Sequence, residues 1–463
     1  MKFWHRLKQS ILLGGDLVLF FLALWLGLVL RNLEFKNARQ LHENLSVFVV
    51  IFLIWIMVNY INGLYDFKKI SQKKIISNFV QSAIASFLIS ITILYIFPDK
   101  NTTPKTILLL TTIIAYLLIF VWRKIYINII SNNKLHANVL FLDYNQEIQE
   151  IIEILQTQTT LGYNVKAIVD LENQIINKTE YNNIAIYKTK EKLEKIVAEN
   201  KIEIIVTPNN LDNEEILSQE LYQLLFQQIK IISISNFYES VTGRIPPSAF
   251  HKTWFLQYLS DLDKPIYNKF TKLLEFIFII IFSLFFLVFL PFISLSIKFN
   301  SKGKIFFKQK RSGQNGKIFW MYKFRTMYSL AKDGSAEIHG AQFAQKNDDR
   351  ITGVGKFLRQ TRLDELPQII NLLKGEITVI GPRPERPEIS DDLQNRMPYY
   401  NLRYVIKPGI TGWAQVQQHY TSTLETSLQK FQYDLFYIKN RSMLLDVSIL
   451  LKTVNVILKA MGQ

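Results

Sequence analysis

Two adjacent carboxylates, Asp364 and Glu365, are the side chains of this sequence best suited to carry chemistry, and Arg383 follows them between two prolines. All three lie in RQTRLDELPQIINLLKGEITVIGPRPERPE, residues 359–388. Transfer of a phosphorylated group needs a carboxylate near a metal ion and fixed cations for the phosphate oxygens. These residue types indicate phosphate chemistry, although an adjacent acid pair taken alone is more often solvated surface.

The segment around the acid pair, residues 353–373, is predicted to form a helix, a break and a second helix. Neighbouring residues on a helix diverge by about 100°, so Asp364 and Glu365 are not expected to chelate one ion symmetrically. One of them can face a substrate while the other pairs with Arg359 or Arg362 along the helix.

Arg383 lies in GPRPERPE, residues 381–388, which we expect to be a loop because its prolines fix an extended backbone. A rigid loop suits a planar, bidentate phosphate clamp, and a proline-rich recognition linker is the alternative. Residues 407–416, KPGITGWAQV, are predicted to form another turn-bearing element in which Gly409 and Gly412 permit unusual backbone angles.

A β-hairpin is predicted over residues 303–327, GKIFFKQKRSGQNGKIFWMYKFRTM, with its turn at Asn315 and Gly316. On the second strand Lys323 and Arg325 are two residues apart, so both should project from one face. Two cations on one face suit a diphosphate. A solvated basic face near anionic lipid explains the same two residues equally well.

Four apolar segments predict a transmembrane four-helix bundle over residues 1–130. Ten Lys and Arg residues lie at its two ends and in the 62–74 loop, against five in the opposite loops, so both ends are predicted to be cytoplasmic. Asp16, inside the first span, is expected to make an interhelical contact. The four predicted spans lie near residues 10–30, 45–61, 75–97 and 106–122.

A fifth apolar segment, residues 273–297, is flanked by Lys and Arg on both sides and contains Pro291. The basic flanks give no preferred crossing direction, and the proline predicts a break in the helix. A helix that kinks at Pro291 and returns to the same side, and a helix that crosses fully, are both compatible with these residues. Residues 431–460 are predicted to lie in the membrane interface, with the core as the alternative.

The middle of the chain, residues 134–262, alternates predicted strands with predicted helices. This order predicts a parallel sheet covered on both faces, a Rossmann-like α/β domain. The turn after the first strand, FLDYNQEI (141–148), has no glycine, and Asp143 and Tyr144 would block a pyrophosphate by bulk and charge. We therefore expect a structural or regulatory domain without a dinucleotide cofactor.

The composition narrows the classes of protein and partner. The chain has 463 residues, a net charge of +16 and no cysteine, which excludes disulfides, thiol catalysis and thiolate metal sites. Apolar runs beside this charge favour membrane lipid and an anionic phosphate substrate over nucleic acid. The N-terminal apolar run is long and lacks a small-residue cleavage site, so it is predicted to be a span and not a secretory signal.

The runs KFRTM, LDELPQ, GPRPERPE and KPGITGWAQV, in this order, resemble the bacterial sugar transferase family. These are polyprenyl-phosphate phosphoglycosyl transferases with a single re-entrant membrane helix. The resemblance covers residues 265–463 and implies an α/β catalytic domain there, with interfacial amphipathic helices and residues 273–297 as the re-entrant helix. The four spans and the Rossmann-like domain resemble the large subclass of the family.

The resemblance implies a reaction and a location. A UDP-sugar would give its sugar phosphate to undecaprenyl phosphate and release UMP, which begins exopolysaccharide, capsule or lipopolysaccharide O-antigen synthesis. The location would be the bacterial inner membrane, with the catalytic domain on the cytoplasmic face. Re-entry is then favoured over a full crossing, which would separate the catalytic part from cytoplasmic sugar nucleotides.

The resemblance also implies roles for individual residues. Asp364 would attack the sugar-bearing phosphate and form a covalent phosphosugar intermediate, with Mg2+ bound near it. Glu365 would support the site, paired with Arg359. The substrate- and phosphate-binding residues would be Lys323, Arg325, Arg359 and Arg383.

Two other functions compete with this one. A membrane-anchored, NAD-dependent nucleotide-sugar dehydratase also combines four spans with a Rossmann domain, but the glycine-free turn at 141–148 disfavours it. A non-catalytic polysaccharide-export scaffold would make no use of the acid pair. The sequence names neither the sugar nor the polymer, and it leaves a homodimer open as a role for the middle domain.

Overall fold

The computed structural model divides the chain into two compact units, Met1–Thr242 and Gly243–Gln463. The residues it describes are 2–33, 38–66, 75–96, 105–131, 136–170, 184–188, 192–209, 215–259, 264–329, 348–418 and 423–458.

The first unit begins with four long helices, and each of them overlaps one predicted span. All four are long and apolar enough to cross a membrane. Phe20, Phe52 and Trp55 pack together in the interior of the bundle. The four predicted spans are confirmed as helices of spanning length: α1 (Lys2–Asn32), α2 (Ala38–Ile61), α3 (Ile75–Ile96) and α4 (Lys105–Ser131).

Asp16 is fully buried between helices of this bundle. One of its carboxylate oxygens accepts hydrogen bonds from Arg123 Nη2 and from Tyr65 Oη, both at 2.7 Å. A charge in an apolar bundle is stable only with such partners. The interhelical contact predicted for Asp16 is confirmed.

The first unit continues with a five-stranded, all-parallel sheet of strand order β3-β2-β1-β4-β5. Alternate residues of the central strand enter two different cores: Val139 and Phe141 lie on one face, Leu140 and Leu142 on the other. The predicted parallel sheet with both faces covered is confirmed. Its elements are β1 (Ala137–Leu142), α5 (Gln146–Thr157), β2 (Tyr163–Val169), β3 (Ala185–Tyr187), α6 (Leu193–Asn200), β4 (Ile204–Thr207), α7 (Glu215–Leu225), β5 (Lys230–Ser233) and α8 (Ile234–Thr242).

The second unit contains one 36-residue helix, α10 (Pro265–Asn300), which includes the predicted fifth segment. It is also long and apolar enough to cross a membrane. Helical conformation continues through Pro291. The predicted break in the helix is therefore wrong. The residues on both sides of Pro291 keep their helical conformation.

Helix α10 packs on the rest of its unit along its whole length. Near its start Tyr267 Oη donates to Asp446 at 2.8 Å, and at its end Asn300 Oδ1 accepts from the Val354 amide at 3.3 Å. Between these points Phe282 and Phe286 pack against two hydrophobic cores. Much of the remaining surface of the helix consists of exposed apolar side chains, among them Phe276, Ile281, Leu284, Leu287 and Phe292.

The predicted hairpin is confirmed as two antiparallel strands, β6 (Phe306–Ser312) and β7 (Ile318–Phe324). Its turn has left-handed backbone angles at Asn315 (φ 55°) and Gly316 (φ 74°), which these two residue types adopt at low cost.

Short elements complete the second unit. The predicted helix, break and helix over residues 353–373 is confirmed, with a 3₁₀ helix (Leu363–Gln368) between its two helices. Another 3₁₀ helix covers Tyr400–Val405, and β8 and β9 pair in parallel. The bounds are α9 (Lys252–Leu259), α11 (Gly353–Gln360), α12 (Ile369–Leu373), β8 (Thr378–Ile380), α13 (Pro387–Arg396), β9 (Gly409–Thr411), α14 (Trp413–Gln417), α15 (Leu424–Asn440) and α16 (Met443–Leu458).

The predicted interfacial segment, residues 431–460, divides between two environments. Phe431, Leu435 and Ile438 of α15 are buried in the core, so the interfacial prediction is wrong for this part. Helix α16 instead exposes Leu444, Val447 and Leu458.

Candidate active site

The acid pair lies on the short 3₁₀ helix that follows α11. Thr352 caps the start of α11, where its side chain accepts a hydrogen bond from the Gly355 amide at 2.9 Å. After α11 ends, Arg362 has a left-handed backbone (φ 60°), an uncommon state for a residue with a side chain. This residue redirects the chain into the 3₁₀ turn. Adjacent side chains there diverge by about 120°, so Asp364 and Glu365 meet different neighbours.

Three cations surround one oxygen of Glu365. Its Oε1 atom lies 2.7 Å from Arg383 Nη2, 2.9 Å from Lys323 Nζ and 3.7 Å from Arg362 Nη1. Burial opposes ionisation of Glu365, yet Arg383, Lys323 and Arg362 together hold its pKa well below the usual range. Glu365 is therefore a fixed negative charge that joins the hairpin, the 3₁₀ helix and the proline-rich loop.

Asp364 has a different environment. Its side chain is buried, and its Oδ1 atom has no hydrogen-bond partner among the described residues. Burial raises the pKa of Asp364, and the positive charge of Lys323 only partly offsets this effect. A buried carboxylate oxygen without a hydrogen-bond partner can bind a cation or attack an electropositive atom.

The structure brings together Asp364, Glu365, Lys323 and Arg383, but it changes two details of the prediction. Glu365 pairs with Arg383, Lys323 and Arg362, and the expected pair with Arg359 is not among its ion pairs in the described part of the chain. Arg359 lies one helical element earlier, before the chain turns at Arg362. Its positive charge still acts on Asp364.

Arg325 does not share the environment of Lys323. Strand β7 ends at Phe324, so the strand alternation that would align the two side chains no longer applies. The Arg325 guanidinium donates to the carbonyl oxygens of Ser301, at 2.8 Å, and Lys302. It thus binds the carbonyl end of α10, where a cation is favoured, and its role in substrate binding stays a prediction.

A buried ionic network holds the loop that carries Arg383. Arg403 Nη2 donates to the Arg383 carbonyl oxygen at 2.8 Å and lies 2.8 Å from Asp434 Oδ2. Glu385 contacts Lys430. Burial disfavours a charged Glu385, but Lys430, Arg403 and Arg311 outweigh it and lower the pKa of Glu385 to about 2.

Sequence reasoning missed this network. Its members lie on different elements between residues 311 and 434, so no local pattern in the sequence shows that they pair. The signal available in the sequence was the placing of Lys430 and Asp434 next to the apolar residues Phe431 and Leu435 in α15.

The end of the proline-rich loop and the glycines near it also differ from expectation. The loop stops at Arg386, and Pro387 is the first residue of α13, a favoured position for proline. Gly412 has an extended backbone (φ −163°), and Gly409 has no positive φ, so neither supplies an unusual angle. They are needed because a side chain at either position would collide with the Gly381 backbone.

The expected Mg2+ can be assessed from the donor atoms. The described residues contain no group of three or more His, Cys, Asp or Glu side chains placed to hold a metal ion. Mg2+ is usually held by one or two carboxylates together with substrate phosphates and water. The Oδ1 atom of Asp364, which no described residue hydrogen-bonds, fits that mode of binding, in which a diphosphate substrate supplies the other ligands.

Comparison with known proteins identifies the family. The family model for bacterial sugar transferases matches residues 266–460, which contain the acid pair, the hairpin and the proline-rich loop. The exopolysaccharide production protein PSS of Rhizobium leguminosarum bv. phaseoli is 36% identical over 171 residues, which are 36% of this chain and 84% of that relative. The chain belongs to the bacterial sugar transferase family.

Two relatives longer than PSS match part of this chain. The UDP-N-acetylgalactosamine-undecaprenyl-phosphate N-acetylgalactosaminephosphotransferase of Aeromonas hydrophila is 38% identical over 234 residues, 50% of this chain and 53% of the relative. The UDP-glucose:undecaprenyl-phosphate glucose-1-phosphate transferase of Xanthomonas campestris pv. campestris is 42% identical over 163 residues, 35% of this chain and 33% of the relative. The match thus spans about half of the Aeromonas relative and about a third of the Xanthomonas relative.

Proposed function

We propose that this protein transfers a sugar 1-phosphate from a UDP-sugar to undecaprenyl phosphate and releases UMP. The proposal rests on the different surroundings of the two acids. Glu365 is neutralised by three cations, while Asp364 keeps a buried oxygen without a partner among the described residues. The names of the Aeromonas and Xanthomonas relatives support these two substrate classes.

The proposed chemistry has two displacements at one phosphorus atom. In the first, a carboxylate oxygen of Asp364 attacks the sugar-bearing phosphorus of the UDP-sugar, the bond from that phosphorus to the bridging oxygen breaks, and UMP leaves. In the second, a phosphate oxygen of undecaprenyl phosphate attacks the same phosphorus. The bond to Asp364 then breaks, which regenerates the carboxylate and yields undecaprenyl diphosphate-sugar.

The surrounding cations reduce the repulsion between a carboxylate and a diphosphate. Lys323 and Arg383 lie beside Asp364 through their shared contact with Glu365, and Arg359 adds a third positive charge. Glu365 orients Lys323 and Arg383, so they require little reorganisation when phosphate oxygens arrive. A Mg2+ ion held by Asp364 and the diphosphate would add Lewis-acid charge neutralisation when bound.

The membrane geometry proposed for α10 is re-entrant, with the catalytic domain on the cytoplasmic face of the inner membrane. Its two ends, at Tyr267 and Asn300, contact the same compact unit, which supports placing both on one side. A lipid phosphate stays at the interface, so a site at the base of such a helix would meet it there. The proposed product would begin an exopolysaccharide, capsule or O-antigen chain.

The function is tested by UMP release from purified membranes supplied with a panel of UDP-sugars. We expect repeated turnover with at least one sugar nucleotide only when undecaprenyl phosphate and Mg2+ are both present, because without the lipid phosphate each protein molecule can release UMP only once. Asp364→Ala and Asp364→Asn should abolish release and the phosphosugar adduct on the protein. Full activity in either variant would overturn the mechanism, and no release with any UDP-sugar would overturn the substrate class.

The membrane geometry is tested separately. Cysteines introduced at Lys264 and Lys302, one at a time into a chain with no cysteine of its own, should react with a membrane-impermeant reagent from the same side. Reaction from opposite sides would mean that α10 crosses the membrane.

A further inference from the structure

The β6–β7 hairpin has two faces with different surroundings. Residues opposite each other in the register share a face, such as Lys310 with Trp320 and Lys308 with Tyr322. On the other face Phe319 and Met321 are buried in the core that contacts α10. The hairpin outer face is defined here as Phe306, Lys308, Lys310, Ile318, Trp320 and Tyr322.

The hairpin outer face combines exposed apolar groups with ammonium groups. Ile318 is 60% exposed and Trp320 is 44% exposed. The Nζ atoms of Lys308 and Lys310 lie 5.3 Å and 5.5 Å from the centre of the Trp320 ring. Lys374 Nζ is placed in the same way over Tyr322, at 5.0 Å. Side chains with an apolar body and a charged tip are those found where lipid headgroups meet water.

The hairpin itself carries charge of one sign. Residues 276–332 contain no Asp or Glu, whereas ten Lys and Arg residues lie between 298 and 332. Lys308, Lys310 and Lys317 therefore have no acidic neighbour along the hairpin, and their field favours a polyanion. A second copy of the chain is disfavoured as the partner, because a twofold contact through this face would oppose lysines to lysines.

Packed aromatic rings connect the hairpin outer face to α10. Phe306 stacks on Phe324 with ring centres 5.5 Å apart, and Phe324 contacts Phe286 of α10 with ring centres 6.2 Å apart. Helix α10 has the length and composition of a membrane helix and exposes Phe276, Ile281 and Leu284. The polyanion nearest to this face is then the headgroup layer around that helix.

We propose that the hairpin outer face binds anionic lipid headgroups. Phe306, Ile318 and Trp320 enter the boundary between headgroups and acyl chains, while Lys308 and Lys310 bind lipid phosphates. The contact holds the second strand of the hairpin, which carries Lys323, at a fixed height relative to the membrane. High salt weakens the lysine contribution and leaves the apolar contribution.

The test uses the absence of native cysteine. A spin label on Ile318→Cys in the full chain is measured in nanodiscs of phosphatidylcholine with and without phosphatidylglycerol. Collisions with oxygen report lipid, and collisions with a water-soluble nickel chelate report water. The matched control is Gln394→Cys, an exposed position on α13. In anionic discs we expect nickel access at 318 to fall several-fold below that at 394.

A charge-reversal variant separates the lysines from the apolar groups. Lys308→Glu with Lys310→Glu, in the Ile318→Cys chain, should restore nickel access at 318; Lys308→Gln with Lys310→Gln serves as a milder version if the first does not fold. Equal nickel access at 318 and 394 in anionic discs would overturn the proposal. So would insensitivity to phosphatidylglycerol, or spin–spin broadening that shows a second copy covering this face. None of these measurements uses transferase activity, so a failure of lipid binding by the hairpin can be distinguished from a failure of the proposed function.

Discussion

Arg383 Nη2 donates a hydrogen bond of 2.7 Å to Glu365 Oε1, across 18 residues of sequence. The arginine expected to clamp phosphate is thus already oriented by a carboxylate. Because Glu365 also accepts from Lys323 Nζ at 2.9 Å, its negative charge is shared between two cations before any substrate arrives. The neighbouring Asp364 has no comparable partner among the described residues, and this difference separates a supporting acid from a reactive one.

The first prediction concerns Glu365→Gln, which keeps the shape of the side chain and removes its charge. Lys323 and Arg383 would lose the anion that orients them, so the turnover rate should fall on the order of 10²-fold. The KM for the UDP-sugar should stay level or fall, because the freed cations still attract a diphosphate. Initial rates of UMP release measure both quantities. An unchanged turnover rate with a raised KM would instead mean that Glu365 acts only in binding.

The second prediction concerns Arg403, which is buried and holds the carbonyl oxygen of Arg383. Arg403→Gln leaves Asp434 buried without its cation, which should cost about 3–5 kcal/mol of stability. Arg403→Gln combined with Asp434→Asn should recover part of that loss. Thermal unfolding of the detergent-solubilised protein compares the variants, and strictly additive losses in the double variant would contradict the pairing.

The third prediction concerns acid stability through Glu385. Its pKa is lowered to about 2 in the folded protein by Lys430, Arg403 and Arg311, against the opposing effect of burial. A lowered pKa stabilises the fold above the unfolded value of about 4.3, and that contribution disappears as the pH falls towards 2. Glu385→Gln should therefore lower the unfolding midpoint at pH 7, and the gap to the natural protein should narrow between pH 4.5 and 2.

The matched control for this pH series is Glu388→Gln, at an exposed position on α13. It should change the free energy of unfolding by less than about 0.5 kcal/mol at neutral pH. A gap between Glu385→Gln and the natural protein that stays constant down to pH 2 would show that the charge of Glu385 is not what stabilises the loop.

The fourth prediction concerns the close approach of two backbones beside the site. A methyl group on Gly409 would collide with the backbone of Gly381, where no flexible side chain can move away. Gly409→Ala should cost about 3 kcal/mol, at the upper end for overpacking, and should lower the unfolding midpoint. Gly353→Ala is the control, since nothing lies within 4 Å of the added methyl and alanine favours a helix. Equal midpoints for the two variants would contradict the tight packing.

Many helices, strands and turns of this protein follow from local signals in its sequence. Runs of apolar residues fixed four helices of spanning length, and alternation of short strands with helices fixed the parallel sheet. The Asn315–Gly316 pair fixed the hairpin turn, because both residues tolerate left-handed backbone angles. The order of four short motifs was sufficient to indicate the family that the comparisons then identified.

Which charges pair depends on the folded chain. Arg359 and Arg362 both lie within reach of Glu365 along the sequence, but the left-handed turn at Arg362 and the path of the proline-rich loop give it Arg362 and Arg383 as partners. The Arg325 guanidinium donates to the Ser301 carbonyl oxygen at the end of α10, a contact that the spacing of Lys323 and Arg325 did not predict. Periodicity and turn chemistry act within a few residues, so the sequence was sufficient to predict these elements. Ion pairs form between residues far apart in the chain, so the partners are set by the fold.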